Sequence, residues 1–356
     1  MSVERTLFQN DRFLAPRQMR KNAGSNWTTD NGKASLREGV GKIVYQPGGQ
    51  YRVADSRGGD KQNTHRPHSL LANARSSNHL SAMTRIALLP DRAVIAIAGP
   101  DRRDFLQGLV SQDVNKVAPG HAAFAALLTP QGRYRADFFI FDDAEHLLLD
   151  VERPMQADVI ALLSRYQLRA KVTIEPGEHR VYVLWGGHLR LPQGTIVAPD
   201  PRLPGVALRV LSLESLQPTA TASDWDEHRL AIGLPDGTRD LEPGKTLLLE
   251  AGFDELSGIS WTKGCYMGQE LTARTRYRGL IKRRLLPVDV NGPLPQPGTT
   301  ILRAGKEVGN VRSGRGNRAL AMIRLDALDG PLVCGDATLI VMVPDWIRLP
   351  EGTDAS

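Results

Sequence analysis

From about residue 84 to 345, Gly and Pro cut the chain into short apolar runs, with only a few stretches of helical period between them. Runs bounded this closely by turn residues read as strands, which places the chain in the α+β class. Val94–Ala98 opens the pattern and Gly99-Pro100 ends it. Asp101 is placed to cap a helix carrying Phe105, Leu106, Leu109 and Val110 on one side, with Pro119-Gly120 as its stop. Ala122–Leu128, Tyr134–Phe141 and His146–Val151 follow as a meander. A second helix from Pro154 carries Met155, Val159, Ile160, Leu163 and Tyr166, and strands near Val172–Ile174 and Val181–Leu184 complete the unit. Residues 187–222 read as a subdomain connection or a peripheral hairpin, with one strand near Val206–Leu211. A short helix from about Ser223 ends at Gly233, and Gln269–Arg276 reads as another. Beyond Lys282-Arg283-Arg284 only short strands separated by Gly and Pro remain, the pattern of a small β-barrel.

Charge separates a leader from this body. Residues 1–82 hold 13 of the 45 Lys and Arg and 6 of the 39 Asp and Glu, leaving 32 against 33 for the rest. The basic excess therefore belongs to the leader, and a broad nucleic-acid face on the body is not supported. The leader is rich in Asn, Ser, Gly and Arg, broken by scraps such as Ile43-Val44-Tyr45, a composition that reads as disordered. It is expected to be a basic tail, a targeting segment or a mis-set start; its acidic residues weaken targeting, and Met83 stands just ahead of the body. The domains expected are residues 1–82 as leader, 83–284 as an α+β body and 285–350 as the barrel. No apolar run is long enough to span a bilayer, so no membrane partner is expected.

Two cysteines, Cys265 and Cys334, form neither a metal-binding pair nor a disulfide framework. A self-contained metal or iron–sulfur site is therefore not expected, since such clusters normally take four protein ligands. Cys265 instead sits in Lys263-Gly264-Cys265-Tyr266-Met267-Gly268-Gln269-Glu270, where two glycines bracket a thiol, a phenol and a carboxylate. A cysteine just before a helix, with Lys263 beside it, is favoured as thiolate; a small buried thiol in a tight turn is the plainer alternative. Arg274, Arg276, Arg278, Lys282, Arg283 and Arg284 follow within eleven residues. They suit either a polyanion or an ordinary interdomain strap, and Glu270 with Arg274 could be a simple i,i+4 ion pair. Trp261, Tyr266 and Tyr277 are either core or walls for a flat ligand, and Asp137 is either a buried ligand anchor or an outward residue. The glycines of Gly305–Gly316 lack the strand-to-helix order of a phosphate loop and read as a hairpin.

Lys263–Glu270 resembles the K-G-C-[FY]-x-G-Q-E signature of the YgfZ family, folate-binding relatives of the glycine-cleavage aminomethyltransferase that serve iron–sulfur enzymes. The resemblance extends through Leu249-Glu250-Ala251-Gly252, Gly258-Ile259-Ser260-Trp261-Thr262 and Leu271-Thr272-Ala273-Arg274-Thr275. It also takes in Phe105–Val114, Arg229 with Gly233-Leu234-Pro235, and Gly309-x-Val311-x-Ser313. It covers about residues 84–345 and leans toward the branch of the mitochondrial iron–sulfur assembly factor. It implies a cloverleaf-like aminomethyltransferase fold with a C-terminal barrel and a central channel holding tetrahydrofolate. Cys265 takes the place of the family's critical cysteine, with Lys263 and Glu270 beside it and Gly264, Tyr266, Gly268, Gln269 and Arg274 completing the motif. Asp137, Trp261 and Tyr266 are the expected folate contacts. Where true aminomethyltransferases carry an acidic pair, Gly132-Arg133-Tyr134-Arg135-Ala136-Asp137 keeps one carboxylate, which puts methylene transfer in doubt.

The function implied is a folate-binding accessory factor for assembly or repair of [4Fe–4S] proteins, with transient cluster contact through one thiol. Its partners would be iron–sulfur assembly or client proteins, with tRNA thiomodification linked only indirectly. The alternatives are a tetrahydrofolate-dependent one-carbon transferase using Asp137 and Lys263, and a binding protein docking tRNA on the basic strap. A bacterial cytoplasm is the expected location, with the mitochondrial matrix as the alternative.

Overall fold

Every residue of Ala123–Leu128 is buried, as are all but one of Tyr134–Asp142. Strands apolar on both faces must lie between two covering layers, and the rest of the fold supplies them. The computed structural model describes residues 84–279 and 281–349, together with the backbone of β1 (Ile43–Gln46) and β2 (Gln50–Val53). Those two strands pair antiparallel, so Ile43-Val44-Tyr45 belongs to a hairpin; the rest of the expected disordered leader lies outside the described residues.

The body runs β3 (Arg85–Leu88), β4 (Arg92–Ala98), α1 (Arg102–Gln107), β5 (Ala123–Leu128), β6 (Tyr134–Asp142), β7 (Leu147–Glu152), α2 (Gln156–Gln167), β8 (Thr173–Gly177) and β9 (Arg180–Trp185). It continues with β10 (Ile196–Pro199), β11 (Leu208–Ser212), α3 (Ala222–Ile232), α4 (Gly237–Asp240) and α5 (Gln269–Tyr277). One sheet has the order β5-β6-β7-β4-β8 and a second the order β10-β11-β9-β3. α1 and α2 cover the outer face of the first sheet through Leu106, Val159 and Leu163. Its inner face meets the second sheet through Phe124, Phe139, Val183 and Trp185. The looped segment 241–259 adds Leu248, Phe253 and Leu256 to that shared core, with Phe253 stacked 4.8 Å from Phe124.

The barrel closes as β12 (Arg283–Asn291), β15 (Arg318–Arg324), β14 (Lys306–Arg315), β13 (Thr300–Arg303), β16 (Leu332–Cys334) and β17 (Ala337–Val341), in that order around the ring. Gly305–Gly316 runs from the β13–β14 turn through the whole of β14 into the turn before β15, as a hairpin reading requires. The outer face of β12 and β15 packs into the body through Leu285, Leu320 and Met322. α3 is fixed by a Thr221–Asp224 capping box and by Gly233 in left-handed conformation at its end. On its inner side Arg229, 2 % exposed, bonds Asp226, Asp240, the Leu234 carbonyl and Ser313 of β14. The Arg229/Gly233-Leu234-Pro235 segment is thus a clamp between body and barrel.

One expectation is corrected. The helix from Asp101 stops at Gln107 instead of running toward Pro119, because Val110 pairs with Leu127 and the Ser111 amide bonds the Ala126 carbonyl. Edge pairing with the sheet takes the chain out of helix, and Asp101 accepts from the Lys171 amide instead of capping. Of the two readings of residues 187–222, the peripheral hairpin is the one found: β10–β11 extends the second sheet beside β9.

Candidate functional site

Lys263–Glu270 leaves the looped core segment and enters α5. It is held against the residues that follow α1, some 150 positions earlier in the chain. The Lys263 ammonium donates to the carbonyls of Gln107 (2.6 Å), Val110 (2.7 Å) and Gln112 (3.0 Å). The Met267 amide bonds the Gly108 carbonyl, the Ser260 amide bonds the Ser111 carbonyl, and Ser111 Oγ donates to the Gly258 carbonyl. The two segments that carry the family resemblance thus dock on one another. Burial pushes the Lys263 ammonium down to about 8, with Asp113 opposing.

On its other side the loop meets the Thr129–Gly132 turn. Gly268 and Gly132 both have φ near +79°, and a Cβ on Gly268 would fall 2.5 Å from the Thr129 carbonyl oxygen. A Cβ on Gly132 would fall 2.6 Å from the Gly268 carbonyl oxygen, so each glycine makes room for the other's backbone. Between these two anchors Cys265 is exposed to solvent. It lies ahead of Gly268, the residue that caps α5, so the thiol is not in the helix's first turn. Lys263, expected as a neighbouring cation for that thiol, spends its three donors on carbonyls.

Beside Cys265, a cavity of about 550 Å³ is walled by Trp261, Gly264, Tyr266, Gln269, Glu270, Arg274 and Arg278. Gly264, at φ +97°, has open space where a side chain would project. The Tyr266 ring is buried 5.3 Å from the Lys263 ammonium; burial pushes its phenol up to about 12, against a Thr272 hydrogen bond. Gln269 Oε1 accepts from the Tyr266 amide. Glu270 and Arg274 form no ion pair among the described residues, so the simple i,i+4 account of them does not hold. Trp261 donates to Asp254 (2.7 Å) and has the Arg276 guanidinium 4.1 Å from its ring centre.

The basic strap divides. Arg284 is buried against Glu255 and the Leu249 carbonyl, Arg283 pairs with Glu250, and Arg276 covers Trp261. Arg274, Arg278 and Lys282 have no ion-pair partner among the described residues. Cys334 is buried in the barrel wall, where burial pushes its thiol up, and it faces the Thr299 carbonyl.

Asp137 is not part of this cavity's wall. It is 6 % exposed, accepts a 2.6 Å hydrogen bond from the Tyr134 hydroxyl, and has its carboxyl pushed up by burial despite Arg92. Around it the space between the sheets is occupied by ion pairs. Asp150 joins Arg92 (2.7 Å) to Arg209 (3.4 Å), and Asp200 joins Arg202 (2.8 Å) to Arg209 (3.2 Å). The Arg209, Arg202 and Arg92 guanidinium carbons stand 4.0, 4.9 and 5.8 Å from the Phe139 ring centre. Against burial, Arg202 and Arg209 hold Asp200 down to about 2, and burial with Asp137 nearby raises Glu152 to about 7. Trp261 and Tyr266 line the cavity beside Cys265, while Asp137 stands among these ion pairs. The three expected folate contacts are therefore not brought together in one site.

Sequence reading missed this ionic cluster. Its signal was single charges inside apolar strands, Asp150 in Leu147–Glu152 and Arg209 in Leu208–Ser212, with Asp200-Pro201-Arg202 in a Pro/Gly stretch.

A two-sheet body closed by a six-stranded barrel defines an aminomethyltransferase-like fold. The glycine cleavage system aminomethyltransferase T from Bartonella henselae superposes with a TM-score of 0.58 at 14 % identity, covering 76 % of this chain and 88 % of that one. Residues 282–349 match the C-terminal β-barrel domain of CAF17. The iron–sulfur cluster assembly factor IBA57, mitochondrial, of Homo sapiens is 35 % identical over 298 residues, covering 72 % of this chain and 84 % of its own. The Mus musculus protein of the same name is 32 % identical over 302 residues, with the same coverage. The chain belongs to the IBA57 family of iron–sulfur cluster assembly factors. Both relatives are named as mitochondrial, and the bacterial-cytoplasm expectation draws no support from them.

Proposed function

We propose that this protein serves iron–sulfur cluster assembly, as its relatives are named for doing, through the exposed thiol of Cys265. The observation that carries the reading is the setting of that thiol. It projects from a loop pinned on one side by Lys263 and on the other by the Gly132–Gly268 contact, so it is accessible without being loose. A single thiol supplies one ligand, so the cluster is cargo, and its remaining ligands come from a partner protein or a small thiol. Arg274, Arg278 and Lys282 give the surrounding surface a positive rim suited to an acidic partner.

Methylene transfer is not part of this reading, because Asp137 is bonded to Tyr134 and buried among the ion pairs. No step is routed through tetrahydrofolate for the same reason. A tRNA-docking role has three strap cations to work with, since the other three are engaged within the protein. The test is complementation. In a strain lacking its own counterpart, wild type restores the activity of a [4Fe–4S] enzyme, whereas Cys265→Ser does not, at equal abundance and thermal midpoint. Full restoration by Cys265→Ser would remove the assignment.

A further inference from the structure

The cavity of about 550 Å³ beside Cys265 is furnished with more than an exposed thiol needs. Its wall takes in both chain neighbours of Cys265, Gly264 and Tyr266, so whatever fills it lies against the thiol-bearing loop. Gly264 leaves the space beside its backbone open.

Ser260 supplies a buried contact. It is 7 % exposed and lines the cavity, yet its hydroxyl has no hydrogen-bond partner among the described residues and is not sealed from solvent. The surface it keeps therefore faces the cavity. Only its amide is engaged, with the Ser111 carbonyl. A polar side chain buried to this degree normally has a partner, so the hydroxyl is an open contact for a ligand.

Charge narrows what that ligand is. Glu270, Arg274 and Arg278 stand in the same wall, and none has an ion-pair partner among the described residues. Spaced four apart along α5 and onto its C-cap, they fall on one helix face. One carboxylate beside two guanidinium groups is the complement of one ammonium and two carboxylates. Trp261, Tyr266 and Tyr277 add apolar surface against which a peptide backbone packs. The volume lies within the roughly 300–1,000 Å³ of ordinary ligand pockets and suits a tripeptide.

The geometry points to a binding site for a small acidic peptide thiol, bearing one ammonium and two carboxylates, with its sulfur set at Cys265. This rests on the reading of Cys265 as the thiol that contacts the cargo cluster. The bound peptide then supplies a second sulfur ligand from the protein's own surface.

Calorimetric titration of the full chain with S-methylglutathione at physiological salt tests the site apart from the sulfur chemistry. Saturable binding is expected. Arg274→Gln and Arg278→Gln, both at exposed residues, should each weaken it about fivefold, as should Ser260→Ala, which alters no charge. Cys265→Ser should bind as wild type does, because the sulfur of the probe is capped. A silent titration therefore removes this proposal and leaves the complementation result for Cys265 standing. Thiol–disulfide exchange reads the position of the sulfur. The Cys265 thiolate attacks glutathione disulfide, whose S–S bond breaks. A Cys265–glutathione disulfide forms, and one glutathione leaves as thiolate to take up the proton that Cys265 released. Cys334 is buried, so a single adduct by mass reports Cys265. The rate preference for glutathione disulfide over bis(2-hydroxyethyl) disulfide should exceed that of free N-acetylcysteine about tenfold, and Ser260→Ala should narrow it. The proposal is overturned if wild type shows no saturable binding, or if Ser260→Ala and both arginine variants keep its affinity. It is equally overturned if the exchange preference matches that of N-acetylcysteine.

Discussion

The importance of Lys263 is structural before it is chemical. Adjacent in sequence to Gly264 and Cys265, it invites a reading as the cation that activates the thiol. In the fold its nitrogen gathers three backbone carbonyls that would otherwise lose solvent without gaining a donor. Removing one partner of such a set leaves the others unsatisfied, which costs more than the bonds contribute when intact. Lys263→Met is therefore expected to destabilise the protein by about 2–3 kcal/mol, seen as a lower urea midpoint. Amide exchange should quicken at Gly108–Gln112 and Met267, while β12–β17 stay protected. Unchanged exchange in those segments would show that the lysine does not anchor the loop. The sequence could place Lys263 in a motif but not its partners, because a carbonyl carries no residue identity to read.

At the scale of elements, the local signals served well where local chemistry decides. The Thr221–Asp224 capping box and Gly233 bound α3, and the Gly and Pro turns mark the barrel strands. They failed at α1, where an apolar stripe of helical period runs on through Leu109 and Val110. Those residues are buried as the stripe requires, but in a chain drawn onto the β5 edge. A periodicity specifies which residues go inside, and tertiary pairing decides in what conformation. The motif glycines divide in the same way. Gly268→Ala places a methyl group against the backbone of Thr129 at a positive φ and is expected to cost about 2–4 kcal/mol. Gly264→Ala meets open space, so only its φ resists, at about 1–2 kcal/mol. Chemical denaturation of the two variants should separate them in that order. Equal costs would mean that the Gly132–Gly268 contact does not hold the loop. The contact itself was not legible, since it joins two turns more than 130 residues apart.

Across the whole molecule, the two sheets are joined at their centre by charge as well as by apolar packing. Asp150 and Asp200 tie Arg92 on β4 and Arg202 in the loop before β11 to Arg209 on β11. Buried ion pairs contribute little net stability once desolvation is counted, so this lattice fixes how the sheets register more than how strongly they adhere. One carboxylate at its edge is left costly. Glu152, at the end of β7, receives the Thr238 amide (2.9 Å) and hydroxyl (3.2 Å) from α4 but faces Asp137 and Asp236, with Arg92 as the opposing cation. Burial and Asp137 raise it from 4.5 to about 7. Between those values the folded chain keeps a proton that the unfolded chain has released, so this group's contribution falls as pH rises through that window and is constant above it. Glu152→Gln holds the neutral form at every pH. Relative to wild type it should be neutral near pH 4.5 and more stable by about 1–2 kcal/mol at pH 8, a figure discounted for the solvent that reaches the carboxylate. Urea unfolding of both proteins at the two pH values measures the difference. A gain of equal size at both would place its origin in packing rather than in the charge, and no gain at pH 8 would mean that Thr238 already compensates the ionised carboxylate in full.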